Sequence, residues 1–373
     1  MQLRDLKRQY EALKTSMDEA ILNTVSSGSY ILGDAVERLE RRLAHYVRAK
    51  HCLSCASGTD ALRLALMAWD IQEGDAVFVP SFTFFASAEA IVLQGATPIF
   101  VDVERESYNI DPADLERKIA QVERGGQSNP RAIMAVDLFG RPADYPLLRE
   151  IAMEHNLLLL EDGAQGFGGG IGNERNCSFG HIAAVSFFPA KPLGCYGDGG
   201  AVFTDNDDWA AKIQSLRIHG KGADKYHNVR IGLNSRLDAV QAAVLQVKMD
   251  AFERFEQKRT DAIAQRYTDA LKEIVRCPVM PRGTRSAWAQ YTIRIPQRDK
   301  AMRMLAERGI PTAVYYPVPL HRQPAFAHVG AGMECPVADS LCEEVLSLPI
   351  HPYLLQEEQD IVIDAIKTIC NKL

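Results

Sequence analysis

The chain has 373 residues, of which 47% are hydrophobic and 24% are charged, the balance of a soluble globular protein. Its formal net charge of −6 argues against a nucleic-acid groove or an anionic membrane surface as the main partner. The sequence begins without an apolar signal segment and contains no run long enough to span a membrane, so we expect a cytoplasmic protein. The nine histidines and eight cysteines form no ligand pattern, and we predict no metal.

Strand-like apolar runs alternate with helix-like segments over the first half of the chain. The predicted strands cover residues 52–55, 76–80, 97–103, 131–136, 157–161, 183–188 and 200–204. Predicted helices between them include 60–69, 87–94 and 145–155. The strand runs are continuously apolar, as expected for a mostly parallel sheet with helices on both faces, and the fold class is therefore α/β.

A long helical stretch from Leu237 to about Ala270 has few breakers and could bridge to a second domain. From Cys277 onward, shorter strands and helices are interrupted by proline. At about 150 residues per domain, the length also predicts two domains. We therefore predict a large domain over 1–250, then the connecting helix and a small α+β domain over 251–373, against which the first residues can pack.

The first segment that could carry chemistry lies where a predicted strand meets a predicted helix. Ser57 and Asp60 have the spacing of a capping box, and Gly58 lies between them. The free N–H groups and the positive end of the helix dipole would suit a phosphate there. An ordinary helix cap has the same pattern and is more common.

The second segment is the acidic end of an apolar strand, where Glu161 and Asp162 are followed by Gln165. Ligands of α/β sheets bind outside the carboxyl ends of the strands, and an acid in that place can hold a charged ring nitrogen. A solvated pair of loop acids is the alternative, but it leaves the long apolar run and Gln165 unexplained.

The third segment contains Lys191, which is surrounded by small, aromatic and glycine residues and by no run of charge. Desolvation lowers the pKa of an amine, and such lysines form Schiff bases with carbonyl compounds, including pyridoxal phosphate. A loop lysine that happens to lie beside glycines is the alternative. Ser186, on the preceding strand, could add a hydroxyl group to a phosphate site.

The fourth segment, 232–238, places Asn234 and Arg236 just before the long helix, and on its own it also fits a capped helix start. The glycine-rich segments 166–172 and 194–200 do not match GxGxxG, and the Walker pattern is absent. Nicotinamide and nucleoside-triphosphate binding are therefore weakly supported.

The order of phosphate cap, acid and lysine resembles that of the fold-type-I PLP enzymes, and more narrowly the DegT/StrS-type sugar-nucleotide aminotransferase family. The resemblance runs from about Leu6 to about Tyr353. The matching segments are 57–62, 80–84, 161–165, 186–191, 197–200 and 232–236. The family implies a large domain with a mostly parallel mixed sheet covered by helices, and a smaller C-terminal α+β domain.

The resemblance assigns a role to each matched residue around the cofactor, pyridoxal 5′-phosphate. Lys191 would form the Schiff base and carry the proton. Asp162 would pair with the ring nitrogen, Gln165 would hydrogen-bond the ring hydroxyl oxygen, and Phe84 would stack on the ring.

The cofactor phosphate would be held by Gly58, Thr59 and Ser186. Asn234 would reach it from a second subunit, which implies a homodimer with shared active sites. The resemblance further implies L-glutamate as amino donor and a nucleotide-linked keto sugar as acceptor. The candidate substrate contacts are Arg236, His219, Tyr315, Tyr316 and His321.

Segments 194–200, 316–320 and 348–353 are most similar to one branch of the family. That branch aminates C3 of UDP-2-acetamido-2-deoxy-3-oxo-glucuronate for surface polysaccharides such as the O-antigen of lipopolysaccharide. Two residues depart from its pattern: Gly163 stands where alanine is usual, and Tyr315 where histidine is usual.

Three other functions stay open. The first is amination of another nucleotide keto sugar, at C3 or C4 of a dTDP-, GDP- or UDP-deoxyhexose. The second is a PLP sugar dehydratase, but that branch has histidine in place of Lys191. The third is a PLP-binding regulator, which would add a DNA-binding module.

Overall fold

The computed structural model describes residues 1–224 and 226–372. The strands are β1 His51–Cys55, β2 Asp75–Pro80, β3 Thr97–Val101, β4 Asn129–Val136, β5 Leu158–Asp162, β6 Gly170–Ile171, β7 Glu174–Arg175, β8 Ile182–Ser186, β9 Gly200–Thr204, β10 Thr284–Arg285, β11 Tyr291–Arg294 and β12 Val345–Leu348. The helices are α1 Leu6–Ser27, α2 Asp34–Val47, α3 Gly58–Ala68, α4 Phe85–Val92, α5 Pro112–Gly125, α6 Tyr145–Glu154, α7 Asp207–Leu216, α8 Ala239–Ala251, α9 Gln257–Leu271, α10 Arg298–Ala306, α11 Ala327–Gly330, α12 Pro336–Glu344 and α13 Gln356–Cys370.

Seven strands form the main sheet, in the order β1–β9–β8–β5–β4–β2–β3. β3, β2, β4, β5 and β8 pair in parallel, whereas β9 pairs antiparallel with both β8 and β1. All strands but β9 therefore run in one direction. The predicted mostly parallel sheet is confirmed, and its one reversed strand is the one that follows Lys191.

Helices cover both faces of the main sheet, which explains why its strands are continuously apolar. Successive side chains of β2 point to opposite faces: Val77 and Val79 pack in one apolar cluster, and Ala76 and Phe78 in another. Every residue of β2 is buried. Because no strand face is left for polar residues, the functional side chains are found at strand ends and in the loops.

The predicted long helix is present as α8 and α9, joined by a π-helical turn at Phe252–Glu256. Beyond it, β11 and β12 form an antiparallel pair, and an apolar cluster that includes Tyr267, Tyr291 and Ile366 packs around them. The chain start reaches this part of the molecule, because the Ile350 amide donates to the Leu3 carbonyl over 3.3 Å. The division of the chain at residue 250 stays a prediction.

The carboxyl ends of β2, β5 and β8 lie at one edge of the main sheet, because these strands run in the same direction. Asp162 is the last residue of β5 at this edge, and the loops that leave β2 and β8 carry Phe84 and Lys191. Within the described residues, no helix is both long enough and apolar enough to cross a membrane.

Candidate active site

The loop between β1 and α3 forms a cradle at the sheet edge. Ser57 caps α3, its hydroxyl accepting a hydrogen bond from the Asp60 amide over 3.1 Å. The amides of Gly58 and Thr59 belong to the first turn, whose N–H groups have no partner within the helix. A Cβ atom at Gly58 would lie 2.6 Å from Cβ of Ser186. Only glycine therefore allows the cap to approach β8 this closely.

Lys191 lies in the loop that joins β8 to the antiparallel strand β9. The loop is closed near its base, where the Phe187 amide donates to the Gly199 carbonyl over 2.8 Å. At its tip, the Lys191 amide donates to the Phe188 carbonyl over 2.8 Å. Burial lowers the pKa of the Lys191 amine to about 8; the Asp162 charge opposes this shift, and the Arg4 charge adds to it. Lys191 and Asp162 are therefore close enough to interact.

The two acids at the end of β5 point in opposite directions, as consecutive strand residues must. Asp162 accepts hydrogen bonds from the Ser87 hydroxyl at 2.7 Å and from the Ala164 amide at 3.2 Å. Glu161 accepts from the Phe179 amide at 2.7 Å and from the Cys177 amide. The structure thus turns Asp162 towards Lys191 and uses Glu161 to hold a loop.

Burial raises the pKa of Asp162, whereas the Ser87 hydroxyl, the Ala164 amide and the Lys191 charge act against that rise. The Ser87 hydroxyl also lies 3.2 Å from the hydroxyl of Thr83. Ser87 and Thr83 thus support Asp162; Thr83 lies in the matching segment 80–84, but no role was predicted for either residue.

Gln165 and Phe84 lie near Tyr316, which comes from a segment 151 residues away from Gln165. The side-chain Oε1 atom of Gln165 accepts a hydrogen bond from the Phe139 backbone amide at 2.7 Å. The Nε2 atom of the same side chain donates to the Tyr316 hydroxyl at 3.1 Å. The Phe84 ring is 55% exposed and its centroid lies 6.1 Å from that of Tyr316. An exposed aromatic face beside these polar groups can cover a flat ring.

These residues fit pyridoxal phosphate. Gly58 and Ser186 approach so closely that a side chain at residue 58 would not fit between them. The amides of the first turn of α3 lie beside this contact and are suited to binding a phosphate. Lys191 supplies an amine of lowered pKa, and Asp162 supplies a buried acid for a protonated ring nitrogen. Gln165 and Phe84 supply a polar and an aromatic contact for the ring.

The segment with Asn234 and Arg236 lies against the same cradle. The Ser235 hydroxyl accepts a hydrogen bond from the Ala56 amide over 3.1 Å, and the Asn234 side chain is exposed. The His219 amide donates to the Leu233 carbonyl at 2.8 Å, which brings His219 to this segment with its side chain exposed. Arg236 is half-buried.

His321 and Tyr315 lie on the other side, near the end of β2. His321 is buried, its Nδ1 atom lying 2.6 Å from the Ser81 hydroxyl and its Nε2 atom 3.4 Å from an oxygen of Asp339. Burial lowers the pKa of His321. Tyr315 is half-buried, and its ring centroid lies 5.9 Å from that of Tyr316. The predicted substrate contacts of Tyr315 and His321 stay predictions; the contacts found for His321 hold the Tyr316 segment to β2.

The departure at Gly163 has a physical reason. A Cβ atom there would lie 2.8 Å from the sulfur of Cys177. The thiol thus occupies the space that an alanine methyl group would need.

Comparison with known proteins gives a family match and close relatives. Residues 11–367 match the model of the DegT/DnrJ/EryC1/StrS aminotransferase family. The chain is 42% identical over 351 residues to UDP-2-acetamido-2-deoxy-3-oxo-D-glucuronate aminotransferase of Pseudomonas aeruginosa, covering 94% of this chain and 95% of that protein. It is 38% identical over 366 residues to dTDP-3-amino-3,4,6-trideoxy-alpha-D-glucose transaminase of Streptomyces venezuelae, covering 97% and 94%.

Two solved structures share the fold over most of this chain. The crystal structure of a DegT DnrJ EryC1 StrS aminotransferase from Brucella abortus superimposes with a TM-score of 0.97 at 47% identity, covering 99% of both chains. NtdA from Bacillus subtilis, with the bound cofactor PMP, gives a TM-score of 0.88 at 27% identity, covering 96% of this chain and 82% of that one.

Proposed function

The chain belongs to the DegT/DnrJ/EryC1/StrS aminotransferase family, and from this premise we propose that it aminates C3 of UDP-2-acetamido-2-deoxy-3-oxo-glucuronate. It is a PLP-dependent sugar-nucleotide aminotransferase with the predicted fold-type-I architecture. One observation carries the proposal at the level of the site. A lysine amine whose pKa is lowered to about 8 interacts with a buried acid at the sheet edge.

Bound pyridoxal phosphate supplies an electron sink, which allows an amino group to pass from a donor to a carbonyl acceptor. Asp162 would hold the protonated ring nitrogen, and Gln165 and Phe84 would orient the ring. Gly58, Thr59 and Ser186 would bind the phosphate. Each of these roles is supported by the position of the residue at the sheet edge.

Lys191 would bind the cofactor and, when released, move the proton at its Nζ atom. A base must be partly neutral at the working pH to accept a proton. With a pKa of about 8, roughly a tenth of the amine is neutral at pH 7. Lys191 is therefore suited to taking up and returning a proton at the reacting carbon of the substrate.

For the substrate we propose contacts with Arg236, His219, Tyr315, Tyr316 and His321. L-Glutamate is the proposed donor, and its carboxylates need a cation that can also tolerate a sugar in the same site. The half-buried Arg236 and the exposed His219 suit this need, since both approach the cradle without filling it. Amination of another nucleotide keto sugar remains the second candidate, which the 38% identity to a dTDP-sugar transaminase supports.

An acceptor screen tests this function. The purified enzyme is given L-glutamate and a panel of UDP-, dTDP- and GDP-linked keto sugars, and products are identified by mass. We expect glutamate to bleach the visible absorbance of the cofactor, and the UDP-3-oxo-glucuronate derivative to gain an amino group fastest. Equal turnover of simple 2-oxo acids as acceptors, with no effect of the sugar, would contradict the proposal.

We also propose a homodimer whose sites are shared through Asn234. The support is an exposed segment around that residue, in which Val229 is 50% and Ile231 is 90% exposed. Clustered exposed apolar side chains commonly mark a protein interface.

Mixing two inactive variants tests the shared site. Lys191→Ala and Asn234→Ala chains are denatured together and refolded. A mixed dimer would contain one site with both residues intact, so about a quarter of the wild-type activity should return. No recovery, despite mixed dimers seen by native mass spectrometry, would place Asn234 in the site of its own chain.

The proposed location is the cytoplasm, and the proposed fate of the product is a surface polysaccharide such as the O-antigen of lipopolysaccharide. The support is the similarity to the Pseudomonas aeruginosa enzyme, whose name gives a nucleotide-linked sugar as its substrate. Deleting the gene should remove a 3-amino sugar from the polysaccharide, which sugar analysis would detect.

A further inference from the structure

A side chain from the start of the protein contacts the loop of Lys191. Arg4 donates from Nη2 to the Lys191 carbonyl at 2.7 Å and to the Pro192 carbonyl at 3.3 Å. Arg4 precedes the family match, which begins at residue 11. The contact joins residues 187 positions apart in the chain.

The segment that carries Arg4 is fixed on both sides. Before it, the Leu3 carbonyl accepts from the Ile350 amide at 3.3 Å. After it, Arg8 donates to both oxygens of Glu358, at 2.6 and 2.9 Å. The segment of Arg4 is therefore fixed to the C-terminal part of the chain, while the Arg4 side chain donates hydrogen bonds to the Lys191 loop.

Two basic residues and one acid lie near Arg4. Burial lowers the pKa of Lys248 on α8 and of His351, and the Arg4 charge adds to both shifts. Glu256, in the π-helical turn, is the acid facing Arg4. Glu256 accepts hydrogen bonds from Gln9 at 3.0 Å and Tyr353 at 2.6 Å.

Among the residues that the structure describes, Lys248, beside Arg4, lacks a hydrogen-bond acceptor. It is 1% exposed, and within the described residues its Nζ atom has no hydrogen-bond partner. The Nζ atom instead lies 4.3 Å from the ring centroid of Tyr196, a cation–π contact. Arg4 and Lys248 are therefore two basic groups behind the Lys191 loop, and burial lowers the pKa of both.

We propose that Arg4 is a positioning residue that fixes the backbone at Lys191 and adds a positive charge near its amine. Two hydrogen bonds from one guanidinium restrict the loop at the residue that would bind the cofactor. The charge disfavours protonation of Lys191, whereas Asp162, facing the same amine from β5, favours it. The inference rests on the proposed role of Lys191.

The test uses the apoprotein, so that it does not depend on turnover. Reaction of Lys191 with an amine-labelling reagent is followed against pH by peptide mass spectrometry, and amide hydrogen exchange of residues 188–195 is measured in parallel. Two variants separate the contributions of Arg4. Arg4→Lys keeps the charge without the planar fork, and Arg4→Gln keeps a donor without the charge.

We expect the labelling midpoint, near pH 8 in the wild type, to rise by about half a unit in Arg4→Gln. Labelling at pH 7.5 should then fall about threefold. Arg4→Lys should keep the midpoint, while exchange in the loop becomes at least about threefold faster, because one ammonium replaces a two-bond contact. Arg4→Met should show both changes.

Arg8→Met is the matched control, since Arg8 anchors the same segment to Glu358 without touching the loop. If it reproduces both changes, Arg4 acts only through the anchored segment and the inference is wrong. It is equally wrong if Arg4→Gln and Arg4→Lys both match the wild type. Borohydride reduction of the holoenzyme followed by peptide mapping tests the proposed function separately: a link at a lysine other than 191 overturns that role, while the labelling result still stands.

Discussion

Glu161 and Asp162 are neighbours at the end of β5, yet the regions they face differ in kind. Glu161 receives the amides of Cys177 and Phe179. It also interacts with Asp137, which accepts from the Tyr145 hydroxyl at 2.8 Å and from the side-chain amide of Asn176 at 2.7 Å. Asp162 has a hydroxyl and one amide as donors, and interacts with the charge of Lys191.

The difference separates a stabilising network from a reactive one. On the Glu161 face, the oxygens of the buried acids accept hydrogen bonds from backbone amides and side chains of the protein itself. On the Asp162 face, burial raises the pKa of Asp162 and lowers that of Lys191, and such shifted pairs are typical of reactive sites. Substitutions on the two faces should therefore affect different measurements.

The largest effect is expected from Lys191→Ala. Turnover with glutamate and the keto sugar should fall at least about 10³-fold, because both the attachment point and the proton carrier are removed. The unfolding midpoint of the apoprotein should stay equal or rise, since a desolvated amine has been removed. A variant that loses stability instead would show that Lys191 serves the fold.

Glu161→Ala should show the opposite behaviour. Removing the Glu161 carboxyl group leaves the amides of Cys177 and Phe179 without their acceptor. At about 1–3 kcal/mol for each amide, the free energy of unfolding should fall by about 2–6 kcal/mol. Denaturant titration measures this loss, with Glu154→Ala on α6 as the control. The activity per folded molecule of Glu161→Ala should stay within about twofold of the wild type. A greater loss of activity in fully folded protein would contradict the separation of a stabilising face from a reactive face.

Asp162→Asn should lower turnover by about 10²-fold, since a neutral amide cannot keep the ring nitrogen protonated. Asparagine keeps the shape and one oxygen for the Ser87 hydroxyl, but its amino group then faces the Ala164 amide. The free energy of unfolding should therefore fall by about 1 kcal/mol, the worth of one hydrogen bond. Comparing both quantities with those of Glu161→Ala completes the test. Equal stability losses in the two variants would contradict it.

The two faces should also differ in the sign of their pH dependence. Because the pKa of Lys191 falls to about 8 on folding, the folded apoprotein binds fewer protons than the unfolded chain between pH 8 and about 10.5. The cost of burying the charged Lys191 amine therefore falls as pH rises from 8 to about 10.5, because the amine becomes neutral. Relative to Lys191→Met, the wild type should gain stability from pH 8 to 10.

On the opposite face, burial raises the pKa of Asp137 and of Glu161. The folded state then holds protons that the unfolded chain releases from about pH 4 upward, so their contribution to stability is lost as pH rises. Denaturant titrations of Asp137→Asn and the wild type from pH 4 to 7 should converge as pH rises. A stability that is independent of pH in both windows would contradict the shifts.

The smallest effect is expected from Tyr316→Phe. The change removes the hydroxyl that accepts the Gln165 amide, a contact worth about 0.5–1.5 kcal/mol. Turnover should fall about two- to tenfold, while the aromatic contact with Phe84 is kept. The steady-state kinetics of Tyr316→Phe are compared with those of Tyr315→Phe as a control. A loss of turnover in Tyr316→Phe alone would assign the effect to the hydroxyl bonded to Gln165.

The strands, the Ser57 helix cap and the Lys191 loop could be predicted because each leaves a local signal. A buried strand reads as an apolar run, and the cap and the loop have characteristic spacings. The pattern alone could not separate Glu161 from Asp162, since both follow the same run and only the orientation of the strand decides which acid faces the site.

Contacts between distant segments could not be predicted in the same way. Ser81 meets His321 across 240 residues, and Arg4 meets Lys191 across 187. Such pairs depend on how finished elements pack, which produces no period or spacing in the sequence. The reversal of β9 was hidden for the same reason, because an apolar run has no direction.

That reversal has a consequence for how the Lys191 loop tolerates change. Because β9 returns beside β8, the loop begins and ends at adjacent strands of one sheet, with Ser186 opposite Gly200. Closing a longer loop between two fixed neighbours costs little entropy, about 0.6 kcal/mol for each doubling of its length. Insertions near the exposed Asp198 should therefore leave the pairing of β8 with β9 intact, so that the length of this loop can change without unravelling the sheet.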